Sequence, residues 1–253
     1  MKTIYLFDVD GTLTPAKSKI DREFAKDFHN WQKGKEVYIV SGGSFPRIVD
    51  QLGRKVVDQT RGVFSCMGNA HYKKIPNKDG YSSCTLEYEN KFTVDKQALF
   101  FSELERYVMN SEYHTKTGRH YEERVGMVNF SIVGRNASMS ERKEYEEYDK
   151  EHREREQIVA KLSKKHKKLD FVIGGAVSID IFNKGNDKGQ VINHFRDKLK
   201  DHRIVFVGDR IPFPGNDHSL AEEVKRCPHG EAVEVECWQD TATLLKTDLF
   251  ASG

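Results

Sequence analysis

Two aspartates two residues apart, Asp8 and Asp10, close a short apolar run and lead into Gly11-Thr12-Leu13-Thr14. Both can face one pocket, and carboxylates that close repel each other unless a cation lies between them. Oxygen donors of this kind select a hard divalent ion such as Mg²⁺. With charge on an incoming phosphoryl group neutralised by the ion, Asp8 becomes a carboxylate nucleophile toward phosphorus. Asp10, one step outward, can protonate a leaving oxygen and later deprotonate the next acceptor. An Asp-Gly turn after a strand, with Asp10 forming an Asx-turn, accounts for the same residues without chemistry.

The elements that must position these groups can be read nearby. Ile4-Tyr5-Leu6-Phe7 is a continuous apolar run that stops at a carboxylate, as a buried parallel strand does at its C-terminal end. Val37 to Val40 stops in the same way at Ser41-Gly42-Gly43, and Ile204 to Val207 stops at Gly208-Asp209. Between the first two runs, Phe24, Ala25, Phe28 and Trp31 recur at helical spacing, with Gly34 as a stop, which makes a βαβ unit. Parallel sheets of this type bind ligands beyond the carboxyl ends of their strands.

The third run arrives only after a long stretch of different texture. Val125 to Val133 alternates, with Val128, Phe130 and Ile132 on one face and Met127, Asn129 and Ser131 on the other. Phe171 to Phe182 holds a second such region, broken at Gly174-Gly175, where Ile179 and Ile181 oppose Ser178 and Asp180. Both strands offer a polar face. The expected fold is therefore α/β, a Rossmann-like parallel-sheet core over residues 1–80 and 187–253 with an inserted α+β cap over residues 81–186. Within the cap, Ser140 to Lys168 reads as one long solvated helix.

Composition narrows the setting. A net charge of +2 over 253 residues gives no chain-wide reason to expect nucleic acid or an anionic membrane as partner, so any anion site must be local. No run of about 18 apolar residues occurs, and the first residues leave no room for a signal-peptide core. Cys66, Cys84, Cys227 and Cys237 are far apart, which suits reduced thiols in the cytoplasm. Cys227, His229 and Cys237 match no standard zinc spacing.

The string Phe7-Asp8-Val9-Asp10-Gly11-Thr12 closely resembles the first signature of the haloacid-dehalogenase superfamily of phosphotransferases, and the later signatures follow in order. The resemblance assigns Ser41 to the transferring phosphoryl group, with Ser44 as a rival and Thr12 beside them. Lys188, in Gly185-Asn186-Asp187-Lys188-Gly189, resembles the lysine that bridges nucleophile and phosphate, although a helix start with Asp187 as N-cap explains the same residues. Gly208-Asp209-Arg210 and Gly215-Asn216-Asp217 resemble the signature whose acids complete the metal shell, Asp209 as direct ligand and Asp217 as ligand or loop anchor.

Arg124-Val125-Gly126-Met127-Val128-Asn129, Ile132-Val133-Gly134-Arg135, Gly174 to Asp180 and Pro214 to His218 narrow the resemblance to the eukaryotic-type phosphomannomutases over nearly the whole chain. It implies Mg²⁺ held by Asp8, Asp10, Asp209 and Asp217. It also implies a clamp of Arg124, Arg135 and Arg142 on the distal phosphate, with Met127, Asn129, Ser178 and Asp180 on the sugar. Arg142 also suits an ordinary charged helix start. Lys17 stands where the family has an arginine, keeping the charge but losing the bidentate reach.

The family likeness further implies mannose 6-phosphate and mannose 1-phosphate as substrates, a hexose 1,6-bisphosphate as activator, a cytoplasmic homodimer joined through the caps and a place in GDP-mannose biosynthesis. A sugar-phosphate phosphatase of the same superfamily would keep Asp8, Asp10, Lys188 and Asp209 but need no arginine clamp. A silent phosphosugar-binding protein would be expected to lose one of the first two acids.

Overall fold

The computed structural model describes residues 1–76, 82–247 and 250. In chain order the elements are β1 (Lys2–Phe7), α1 (Arg22–Trp31), β2 (Glu36–Val40), α2 (Phe45–Leu52), α3 (Arg54–Val57), β3 (Gly62–Ser65), β4 (Ala70–Pro76) and β5 (Ser82–Glu89). Then come α4 (Gln97–Asn110), β6 (Tyr121–Arg124), β7 (Met127–Phe130), α5 (Met139–His152), α6 (Glu154–Lys165), β8 (Leu169–Gly174) and β9 (Ser178–Asn183). A 3₁₀ helix (Lys188–Lys198), β10 (His202–Gly208), α7 (His218–Lys225), β11 (Gly230–Glu234) and α8 (Trp238–Leu244) follow.

Seven strands form one sheet in the order β11-β10-β1-β2-β3-β4-β5. The first five pair in parallel, and β4 and β5 add an antiparallel hairpin. The apolar runs at its centre are buried on both faces. Phe7, Phe28, Ile39 and Val207 pack in one layer, and Leu6, Phe64, Phe195 and Phe206 in the other. Each such side chain contributes about 1.5–3 kcal/mol on burial. In α1, Asp21 accepts hydrogen bonds from the backbone N–H groups of Glu23 and Phe24, and Phe24 and Phe28 form its buried stripe.

By internal contacts Met1–Glu89, Asp187–Phe213 and Asp217–Gly253 make one compact unit, and Asn90–Asn186 with Pro214–Asn216 the other. The junction expected at residues 80 and 81 lies outside the described residues. Strand β5, placed in the cap by the sequence reading, instead pairs with β4 in the large sheet. Its exposed, polar alternation had the texture of the cap because an edge strand needs little apolar surface.

The smaller unit is a four-stranded antiparallel sheet, β6-β7-β9-β8, whose one face packs on α4, α5 and α6 through Val128, Phe130, Ile179, Ile181, Tyr145 and Leu162. The expected single helix over Ser140 to Lys168 is two. Arg153 takes a left-handed conformation (φ 52°) that ends α5 and starts α6. The break turns Arg155 inward to an ion pair with Asp149 (Nε to Oδ2 2.7 Å), both groups less than a tenth exposed.

Removing one partner of a buried pair strands the other. Asp149→Ala should therefore lower hydrogen-exchange protection of α5 and α6 by about 3–5 kcal/mol. The double change Asp149→Ala with Arg155→Met should restore much of that loss.

Candidate active site

Three adjacent strands, β10, β1 and β2, end together, and their pairing brings Asp209, Asp8 and Ser41 to one edge of the sheet. Asp8, 5% exposed, donates its backbone N–H to Val207 O at 3.0 Å. The fully buried Lys188 reaches from the start of the 3₁₀ helix and donates to Asp8 Oδ1 and Asp217 Oδ1, both at 2.5 Å. Asp187 does cap this helix, accepting from Gly189 N at 2.8 Å. The cap and the buried lysine are thus both present, and Lys188 is not a surface residue.

Asp8, Asp209 and Asp217 each offer a carboxylate oxygen within 4.8 Å of the other two. Asp217 is fully buried, and its Oδ2 accepts the backbone N–H of Arg210 at 3.0 Å, so it anchors the loop after β10 as well as Lys188. Two glycines allow this crowding. A Cβ at Gly11 (φ +88°) would collide with the Asp209 carboxylate, and one at Gly208 would lie 2.6 Å from Asp217 Oδ2.

The electrostatics follow from burial. Desolvation pushes the Asp8 carboxyl well above its ordinary range, and Asp217 and Asp209 push the same way against the pull of Lys188. Asp209 is raised to about 6, first by burial and then by Asp217. Burial alone would lower the Lys188 ammonium, but Asp217 and Asp8 outweigh it and hold it above its usual value. Three carboxylates against one ammonium leave an oxygen-only, negatively charged donor set, which fits a hard divalent ion such as Mg²⁺.

Asp10 stands outside that group of three acids. Its Oδ1 accepts the backbone N–H of Lys17 at 2.5 Å and Gln51 Nε2 at 2.8 Å, and Arg47 lies 3.6 Å from Oδ2. Lys17 itself is exposed, in a left-handed conformation (φ 58°), and contributes its main chain here. Arg47 and Gln51 were not singled out in the sequence. Their signal was spacing, four residues apart on one face of α2.

Thr12 is fully buried, and its Oγ1 has no hydrogen-bond partner among the described residues. Ser41, also buried, accepts from Gly43 N at 3.1 Å within its own turn. Ser44 is the N-cap residue of α2 but makes no side-chain cap bond.

On the cap unit, β7 places Asn129 opposite Asp180 of β9. Asn129 Nδ2 donates to Asp180 Oδ1 at 2.6 Å, and Asn129 Oδ1 accepts from Arg135 Nη1 at 2.5 Å. Arg135 also pairs with Glu122, whose same oxygen takes Arg124 Nη2 at 2.7 Å. The expected polar face therefore exists, but its groups are linked into one network instead of standing open. Met127, on that face, is fully buried. Gly174 gives Asp180 its room, since a Cβ there would strike the carboxylate, and Ser178 Oγ donates to Gly174 O at 2.8 Å.

Arg142, nearly buried, bonds to the main chain. Its guanidinium donates to Ala137 O at 2.9 Å and Arg135 O at 3.1 Å, which braces the segment carrying Arg135. Glu122, like Arg47 and Gln51, was not singled out in the sequence. It sits two residues before Arg124 on β6, hence on the same face of the strand.

A family model described as eukaryotic phosphomannomutase matches residues 24–251. The chain is 34% identical over 252 residues to a phosphomannomutase of Saccharomyces cerevisiae, covering 98% of this chain and 94% of that one. To phosphomannomutase 1 of Dictyostelium discoideum it is 35% identical over 225 residues, 87% of each chain. Among solved structures, a haloacid dehalogenase-like hydrolase from Bacteroides thetaiotaomicron superposes with a TM-score of 0.56 at 12% identity, covering 96% of this chain and 92% of that one, a likeness of fold.

A cation bound by these acids must displace any proton they carry. Mg²⁺ affinity, measured calorimetrically, should therefore be steady above the value of about 6 held by Asp209 and fall as pH drops through it. The loss should approach about tenfold per pH unit for each proton displaced. An affinity flat down to about pH 5 would remove Asp209 from the cation site.

Proposed function

The chain belongs to the eukaryotic phosphomannomutase family, an isomerase-class phosphotransferase, and from that premise we propose that it interconverts mannose 6-phosphate and mannose 1-phosphate through an aspartyl-phosphate on Asp8. The observation that carries the mechanism is the Asp8–Lys188–Asp217 contact at 2.5 Å on each side. It orients one oxygen of Asp8 toward the ammonium and leaves Oδ2 to attack.

In the forward half, Asp8 Oδ2 bonds to phosphorus as the bond from phosphorus to the sugar oxygen breaks. Asp10, as the carboxylic acid, gives its proton to the departing oxygen. In the return half, the free hydroxyl of a hexose monophosphate attacks the aspartyl-phosphate to give a hexose 1,6-bisphosphate, its proton passes to the Asp10 carboxylate, and Asp8 is released to take the other phosphate once the bisphosphate has turned around. Lys17 N–H, Gln51 and Arg47 hold Asp10 in place for both transfers. Lys188 stays charged throughout and offsets negative charge at Asp8. Thr12 Oγ1, buried without a partner among the described residues, is a ready donor to the phosphoryl oxygens, together with Ser41 and Ser44. Bound by Asp8, Asp209 and Asp217, Mg²⁺ would neutralise phosphoryl charge.

A mutase must also hold the sugar's second phosphate. Arg124 and Arg135 converge on one carboxylate, Glu122, which sets two guanidiniums side by side. A phosphate offers the paired, charge-assisted bonds that arginine forks favour. Asn129, Asp180 and Ser178, tied to the same network, suit sugar hydroxyls. The family likeness supports priming by a hexose 1,6-bisphosphate and a cytoplasmic homodimer joined through the cap.

Phosphorus NMR with Mg²⁺, mannose 1-phosphate and a trace of hexose bisphosphate should show the isomer accumulating, whereas free phosphate as the main product would favour a phosphatase. Asp8→Asn should abolish turnover while leaving the fold intact. Arg124→Ala with Arg135→Ala should collapse mutase turnover yet leave acetyl phosphate hydrolysis within about tenfold, roughly 1.4 kcal/mol in barrier. Normal mutase turnover in that double variant would remove the arginines from the substrate site.

A further inference from the structure

Away from the three acids, the large unit holds a second convergence of metal-binding side chains. His71 on β4, Glu87 on β5 and His194 on the 3₁₀ helix each offer one ligand atom, and these three atoms lie within 4.8 Å of one another. We propose that His71, Glu87 and His194 form a site for a divalent transition ion, with Zn²⁺ the best match, joining the β4–β5 hairpin to the helix that begins at Lys188.

Three observations separate this trio from a chance meeting of polar residues. The first is a β-bulge. His71 pairs with Tyr88 and Tyr72 with Leu86, so Glu87 is the extra residue of β5 and is turned out of the regular alternation. Bulges re-aim side chains in this way, and here the result is a Glu87 Oε2 to His71 Nδ1 distance of 2.6 Å.

The second is the fixing of the His71 ring. It is 1% exposed, stacked on Phe64 at 4.1 Å and 10°, and its Nε2 would lie 2.5 Å from any Cβ at position 62, where the chain has glycine. Nε2 has no hydrogen-bond partner among the described residues. The only hydrogen bond of the ring among those residues is therefore at Nδ1, which faces Glu87. The stacking and the close approach to position 62 fix the ring plane, so Nδ1 is held toward Glu87.

The third is the donor chemistry. Two imidazoles and one carboxylate are the ligand set of Zn²⁺ sites that keep a fourth position open. The centroids of the two rings are 4.6 Å apart, and a small rotation of the more exposed His194 would complete the set.

The surroundings define the fourth ligand. A cavity of about 360 Å³ beside the trio is lined by Arg61, Lys73, Lys74 and Lys198 together with Glu36 and Tyr38. With neutral imidazoles and one carboxylate, a bound dication retains one positive charge amid these cations. That charge balance calls for hydroxide or another small anion in the open position. Mg²⁺ is a poor competitor here, since it prefers oxygen donors in octahedral array.

The test titrates the full chain with Zn²⁺, and with Co²⁺ as a spectroscopic stand-in, in a large excess of Mg²⁺ that saturates the acidic site. One equivalent of Zn²⁺ should bind, and Co²⁺ should develop the intense visible bands of tetrahedral coordination. Glu87→Gln and His194→Ala both alter exposed side chains and should each weaken Zn²⁺ binding at least tenfold. His71 is left unchanged, because truncating a buried ring would open a cavity in the core. Absence of a Zn²⁺ equivalent would overturn the proposal, as would binding that both variants leave unchanged. Capture of inorganic phosphate by the metal-free chain, lost in His194→Ala and with no accompanying Zn²⁺ uptake, would also overturn it and make the cavity an anion pocket.

Discussion

The burial of one ammonium among three carboxylates is the constraint around which the catalytic unit is arranged. An isolated ammonium with no exposed surface would carry a desolvation cost of several kcal/mol. Lys188 is tolerable there only because Asp8 and Asp217 each accept from it at 2.5 Å. The geometry has to be held from many directions. The parallel register of β1 with β10 sets Asp8 beside the end of β10, Asp187 fixes the start of the helix that delivers Lys188, and Gly11 and Gly208 keep Cβ atoms out of the space the acids occupy. Most of these supports are backbone features, so they do not depend on any flexible side chain.

The same balance explains why a cation suits this pocket. With Lys188 satisfied by Asp8 and Asp217, the carboxylate least compensated is Asp209, whose ion-pair partner is the half-exposed Arg210 at 3.4 Å. Burial first and the neighbouring Asp217 second raise its pKa, against the pull of Arg210. A hard dication bound among the three acids would relieve their mutual repulsion.

Much of this was legible in the sequence because the chemistry stands at strand ends. Apolar runs that stop at Asp8, Ser41 and Asp209 define three buried parallel strands, and the structure sets those strands side by side. What was not legible depends on tertiary geometry. Strand β5 lacks the apolar signature of a core strand because it lies at the sheet edge, and the break between α5 and α6 falls at Arg153, a residue with no local preference for a left-handed turn. Glu122, Arg47 and Gln51 carry no motif. They were visible only as spacings whose partners the fold had to supply, and the bulge that turns Glu87 toward His71 leaves no mark in sequence at all.

The two units solve the problem of buried charge in different ways. In the core unit Lys188, Asp8 and Asp217 are almost fully buried and hold one another directly, so they cannot reorganise cheaply. In the cap unit the pairing runs through side chains, with Arg124 and Arg135 converging on a Glu122 that is only partly buried. The Glu122 carboxylate is 40% exposed, so these pairs keep contact with solvent, whereas Lys188, Asp8 and Asp217 are almost out of its reach. The ammonium of the core is therefore costlier to displace than the guanidiniums of the cap.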